Sequence, residues 1–205
     1  MIAILDYGVG NVSSILNMFK KIGVPAIITN EIAEVEKAEK LILPGVGSFD
    51  SGMDKLNKSG LAEAIRKHTI AEQKPLLGIC LGMQMLGRKS EEGTSEGLSL
   101  IPFENKRFDF NWNKSVKVPH MGWDITENMM KDDPLLHGLD SMQRYYFVHS
   151  YHAVCDSEEN VLMKCNYGYS FAASVKKGNI YGVQFHPEKS HNFGMALLEN
   201  FARRI

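Results

Sequence analysis

The sequence predicts an α/β fold: a doubly wound, mostly parallel sheet with helices on both faces and additional antiparallel strands in the second half. Three observations carry this. Short apolar runs and amphipathic helical periods alternate four times between Ile2 and Cys80, the pattern of a parallel sheet covered on both faces. From about Gly93 to Ile180 the alternation gives way to short strand-like runs (KVPHMGW, YYFVHSY, VLMKC, FAASV) separated by polar turns. The chain then closes on one more apolar run, Ile180 to Gln184, and an amphipathic helix.

Ile2 to Leu5 reads as a buried strand ending at Asp6, and the glycines of YGVGN turn the chain. Val12, Ile15, Leu16 and Phe19 recur at helical spacing, and Gly23 and Pro25 stop that helix. Pro25 to Thr29 is a second strand, and KLILPGVGSF holds a third that breaks at Pro44 into a glycine loop. Leu61, Ala64, Ile65 and His68 mark another helix, followed by the strand in PLLGIC. In the closing helix Phe193, Leu197, Leu198 and Phe201 form the apolar stripe.

A chain of 205 residues, 44% hydrophobic and 23% charged, fits a single domain spanning residues 1–205. Its 23 Lys and Arg against 24 Asp and Glu leave a formal charge of −1, which gives no global attraction to nucleic acid or to an anionic membrane. Cys80, Cys155 and Cys165 show no pairing spacing, so a reducing, cytoplasmic setting is expected. The apolar start of MIAILDYG is too short for a signal peptide, and no segment approaches the roughly 20 apolar residues of a membrane helix.

GICLGMQ sets Cys80 between two glycines, at the junction of an apolar run and a helix. A residue at such a bend is held out above the sheet, as the serine of a G-x-S-x-G elbow is, and Gly78 and Gly82 leave room for the turn. The helix N-terminus beyond it favours thiolate, and the Leu81 N–H is placed to stabilise an oxyanion. A packed core thiol is the competing reading, because free cysteine is among the most buried residue types. GVQFHPEKS offers a base. His186 precedes Pro187 and is biased toward extended backbone, which lets Glu188 fold back onto the imidazole and fix its tautomer. The alternative there is an ordinary helical first turn. In PGVGSF the Val46 N–H, between Gly45 and Gly47, can turn inward as a second oxyanion donor, or the segment is simply a strand-to-helix turn.

Gly8-Val9-Gly10 has Ser13 where a third glycine would stand, so a dinucleotide fingerprint is weak there. His149 and His152, or His186 and His191, have no HExxH motif or cysteine pair beside them, and in one strand His149 and His152 would point to opposite faces. No metal and no cofactor are expected.

In this order, the glycine loop, the cysteine elbow and His-x-Glu resemble the triad-type (class I) glutamine amidotransferases. More narrowly, DYGVGN, LPGVGSF, GICLGMQ, PHMGW, YYFVHSY and GVQFHPEKS are together similar to the glutaminase subunits of imidazole glycerol phosphate synthase, from residue 1 to the closing helix. The resemblance implies that Cys80 attacks the side-chain amide of L-glutamine, with His186 as base and then acid and Glu188 orienting it. It implies an oxyanion hole from the Val46 and Leu81 N–H groups. It places Gly47, Gln84, Glu92, Ser150 and Tyr151 in the glutamine pocket, with Glu91 exchangeable for Glu92 by one step of alignment. It further implies a heterodimer with a (β/α)8-barrel cyclase subunit, which receives ammonia through an internal channel and makes imidazole glycerol phosphate and AICAR in histidine biosynthesis. His120, Met121, Trp123 and Lys189 match regions facing that barrel, although the first three taken alone also read as core. One departure is Asp124, where such subunits usually carry Asn. KRFDFNWNKS and KSHNFGM look more like a branch whose ammonia helps to build an acetamidino group on a bacterial surface sugar. A free-standing γ-glutamyl hydrolase and a triad-bearing scaffold are the other readings.

Overall fold

The computed structural model describes residues 1–113 and 115–205; Lys114, within KRFDFNWNKS, lies outside the described residues. The first half runs β1 (Ile2–Leu5), α1 (Val12–Lys21), β2 (Ala26–Thr29), α2 (Ile32–Lys37), β3 (Lys40–Gly45), α3 (Phe49–Lys58), α4 (Leu61–Arg66), β4 (Leu76–Cys80) and α5 (Leu81–Met85). Then come β5 (Phe103–Arg107), β6 (His120–Asn128), β7 (Met142–His149), β8 (Tyr151–Cys155), β9 (Val161–Tyr167), β10 (Tyr169–Lys177), β11 (Ile180–Val183) and α6 (His191–Arg204).

One sheet runs in the order β2-β1-β3-β4-β11-β10-β9-β6-β7, with β8 joined to β10 and β5. Pairing is parallel from β2 to β11 through β1, β3 and β4, and antiparallel beyond. The expected architecture is therefore present, with its change of character where the sequence pattern changes. Side chains alternate across the strands. Ala3, Leu5, Leu41 and Leu43 feed one core with α3, α4 and α5, whereas Ile2, Ile4, Ile42, Leu77 and Ile79 feed the other with α1 and α6. Lys40 reaches across to cap the end of α6, donating to the carbonyls of Phe201 at 3.2 Å and Ala202 at 2.6 Å. Among the described residues no helix is long and apolar enough to cross a membrane.

Several local expectations are corrected. β3 does not break at Pro44 but continues to Gly45, since the proline lacks an N–H yet still lies in register with Ile79. The helix ending on His68 is α4 followed by a wider π-type turn, Lys67–Ala71, that buries His68 against the Pro75 carbonyl at 3.2 Å. Phe193 is 38% exposed and lies off the stripe of α6, where Gly194 is buried instead. His149 and His152 do not point apart: Ser150 separates β7 from β8, and both rings pack on Phe108, at 5.2 and 4.7 Å.

Candidate active site

Cys80 is the last residue of β4 and directly precedes α5, with φ +55° and ψ −111°. A side-chain-bearing residue rarely adopts positive φ, and such strain persists only where neighbours hold it. The neighbours here are strands on both sides, β3 and β11, and the close approach of α5 to β3. A Cβ on Gly82 would stand 1.8 Å from the Leu43 carbonyl oxygen, so only glycine allows that approach. Cys80 is 7% exposed, and its sulfur lies 4.0 Å from the Val148 carbonyl oxygen and 3.8 Å from Gln184 Nε2.

His186 follows β11 in extended conformation, φ −102° and ψ 97°, as its place before Pro187 requires. Its N–H donates to the Tyr146 carbonyl at 2.9 Å, and its own carbonyl accepts from Ser190 Oγ at 2.7 Å. Both local readings of this segment hold in part. Pro187–Lys189 is a 3-10 turn, and this turn, rather than continued extension, brings Glu188 Oε1 to 2.8 Å from His186 Nδ1. The other ring nitrogen is buried with no formed hydrogen bond. Burial works against a charged imidazole, but attraction to Cys80 and then to Glu188 outweighs it and pushes His186 up to about 10.

Cys80 and His186 open into one cavity of about 310 Å³. Its wall also carries Val46, Leu81, Gly47, Gln84, Glu92, Ser150 and Tyr151. Glu188 stands behind His186, outside that wall. Gln84 donates to the Tyr151 carbonyl at 3.1 Å and to Gln184 Oε1 at 3.0 Å, a buried amide held on two sides. Glu92 accepts the Phe49 N–H at 2.7 Å, so its carboxylate sits at the start of α3 where partial positive charge collects. Its neighbour Glu91 is turned away, accepting the Arg107 N–H at 2.8 Å and pairing with Lys106 at 3.0 Å. Gly47 holds φ +96° with open space where a Cβ would be. The Val46 N–H donates no hydrogen bond among the described residues, and the Leu81 N–H, at the first position of α5, falls outside the helix's own ladder.

Pro119 and Val148 also line the cavity and were not singled out from the sequence, and His149, weighed there only as a metal ligand, lines it too. Only a motif-wide reading of PHMGW and YYFVHSY approaches them, because their place depends on β6 pairing with β7. His149 is buried, donates from Nδ1 to the Tyr151 carbonyl at 2.7 Å, and is pushed down to about 3 by burial.

Of the four residues expected at a partner surface, three are on the surface. Met121 is 61% and Trp123 37% exposed, and Lys189 is exposed with its ammonium 5.6 Å above the Tyr146 ring. His120 is a correction. It is 2% exposed, stacked between Phe147 at 4.7 Å and Tyr167 at 4.0 Å, because alternation along β6 turns it inward. The outward face of the β6–β7 pair, by register, is Met121 opposite Val148, Trp123 opposite Tyr146 and Ile125 opposite Arg144.

The model of the glutamine amidotransferase class-I family matches residues 3–205. The chain is 52% identical over 204 residues to imidazole glycerol phosphate synthase subunit HisH 2 of Methanococcus maripaludis, covering 100% of both chains. It is 47% identical over 205 residues to the subunit HisH 2 of Pseudomonas aeruginosa, again covering 100% of both. The structure of PurLQS from Thermotoga maritima superposes with a TM-score of 0.72 at 18% identity, over 98% of this chain and 96% of that one, which speaks to the fold. With the family model spanning nearly every residue and relatives matched end to end, this chain belongs to the class-I glutamine amidotransferases.

Proposed function

We propose that this chain is the glutaminase subunit of an imidazole glycerol phosphate synthase, hydrolysing L-glutamine to glutamate and ammonia and passing the ammonia to a cyclase subunit in histidine biosynthesis. The observation that carries the reading is the shared cavity: a cysteine strained into a strand-to-helix elbow opens onto the same space as a histidine backed by a buried glutamate. Cys80 Sγ attacks the side-chain amide carbon, and the Val46 and Leu81 N–H groups hold the oxyanion. The His186 imidazolium gives its proton to the departing nitrogen, which leaves as ammonia, and a γ-glutamyl thioester remains. Water then loses a proton to His186 as it attacks the thioester, releasing glutamate and restoring Cys80. Glu188 keeps the imidazole in the required tautomer and stabilises its charged form. Glu92 suits the α-ammonium of the substrate, and Gly47, Gln84, Ser150 and Tyr151 shape the rest of the pocket.

The docking face for the cyclase is the outward side of β6 and β7. Val148 belongs both to the cavity wall and to the row that includes Met121, Trp123 and Tyr146, so the apolar surface meets the site itself. Exposed aromatic and methionine side chains beside a cation are the composition of an interface centre. Lys189 supplies such a cation next to Tyr146.

Glutamate release by the purified chain, measured with and without the cyclase and the cyclase's own ligand, tests the reading. Weak turnover alone, rising more than about tenfold in the loaded complex, is the expected result; tenfold corresponds to about 1.4 kcal/mol of barrier. Full turnover by the isolated chain would favour a free-standing hydrolase.

Glu188→Gln tests the triad. The loss expected in kcat is about 10²–10⁴-fold, the usual contribution of positioned acid–base catalysis, with KM little altered. Glu188 is one of the two groups that raise His186 to about 10. Without it the imidazolium is lost at lower pH, so the alkaline limb of kcat moves toward neutrality. An unchanged limb would remove Glu188 from the mechanism.

A further inference from the structure

Behind His149, away from the Tyr151 carbonyl, three side chains of metal-binding type converge. His120 and Asp124 come from β6, and Cys165 from β9, where it pairs with Thr126. One imidazole nitrogen, one carboxylate oxygen and the sulfur all lie within 4.8 Å of one another. His120 Nε2 and Asp124 Oδ2 are 3.4 Å apart.

Hydrogen bonds fix which atoms face one another. A carbonyl only accepts, so His149 Nδ1, 2.7 Å from the Tyr151 oxygen, carries a proton. Its Nε2 lies 3.1 Å from His120 Nδ1, which leaves His120 Nε2 turned toward the carboxylate. Asp124 Oδ1 already takes the Ile125 N–H at 2.8 Å, so Oδ2 is the oxygen that meets it. One nitrogen, one carboxylate oxygen and one sulfur are thus turned toward a common point, held there by main-chain and ring contacts.

The spacing suits a cation. In a tetrahedral site with bonds of about 2.0–2.1 Å to nitrogen and oxygen, neighbouring donors are about 3.3 Å apart. Nitrogen, carboxylate and thiolate donors together favour zinc over the hard cations magnesium and calcium. A cavity of about 260 Å³ reaches Asp124 and Cys165 from the surface and leaves space for a fourth ligand. Lys164 in its wall is held by Glu158 at 2.7 Å.

We propose that His120, Asp124 and Cys165 form a zinc site with one open position, separate from the glutamine pocket. On binding, the Cys165 thiol releases its proton to solvent and the thiolate bonds to the metal. A metal on His120 Nε2 also locks the Nδ1–H tautomer, and with it the orientation of His149 in the pocket wall.

The test uses the full chain carrying Cys80→Ser and Cys155→Ser, so that Cys165 is the sole thiol. Cobalt(II) is the optical probe. One equivalent should produce the visible bands of tetrahedral cobalt together with near-ultraviolet thiolate charge transfer, and added zinc should bleach both. Cys165→Ser should remove the charge-transfer band. Asp124→Asn, which keeps the side-chain shape and so reads the site even if the serine variant folds poorly, should weaken cobalt binding at least about tenfold. No tetrahedral spectrum at micromolar metal, a charge-transfer band that survives Cys165→Ser, or unchanged affinity in Asp124→Asn would each overturn the proposal.

Discussion

Cys80→Ala should abolish glutamate release from L-glutamine, by at least about 10⁴-fold, while leaving the fold intact. Removing the nucleophile of a triad costs about as much as removing the whole triad, because the remaining groups have nothing to activate. A glutamate-specific endpoint assay measures the loss, and residual turnover within tenfold of the parent would disprove the role of Cys80. The same position makes a second comparison available. Alanine inherits the φ of +55° and its strain, whereas glycine occupies that region freely. Cys80→Gly should therefore be the more stable of the two inactive variants, by about 1 kcal/mol, given that a strained backbone residue costs on the order of 1–3 kcal/mol.

Gly82→Ala should be the most damaging single methyl addition near the site. The new carbon would stand 1.8 Å from the Leu43 carbonyl oxygen and 2.8 Å from its carbon, atoms of the central strand β3 that cannot rotate aside as a side chain would. Overpacking usually costs about 1–3 kcal/mol. Here α5 has to lift from β3 and carry the Cys80 bend with it, so a loss above about 4 kcal/mol is expected, in the range reserved for named structural faults. Chemical denaturation reads it directly. A folded Gly82→Ala chain within about 1 kcal/mol of the parent would show that the helix does not bear on the strand.

The residues around Cys80 were legible because elbow geometry is local: a buried run, two glycines and a helix start all lie within GICLGMQ. His186 and Glu188 were legible as a pair, but through continued extension; the turn at Pro187 that in fact joins them stood in the sequence as the alternative to that pairing. α3 follows the strand-to-helix turn that PGVGSF offered, and its stripe of Phe49, Gly52, Met53 and Leu56 is faint because a glycine takes one of the four positions. α2 left a weaker trace, with Val35 its one buried residue. His120 was misassigned to a surface because which face of β6 points inward follows from its pairing with β7 and β9, and register between distant strands has no local signature. For the same reason nothing in the spacing of residues 120, 124 and 165 announces that their side chains meet.

Tyr146 takes the His186 N–H on its carbonyl, gives its own N–H to Ser190 Oγ at 3.0 Å, and turns its ring toward Trp123 and Lys189. The consequence is mechanical. A load placed on that aromatic ring is delivered to the imidazole through the main chain of one residue, with no intervening loop to absorb it.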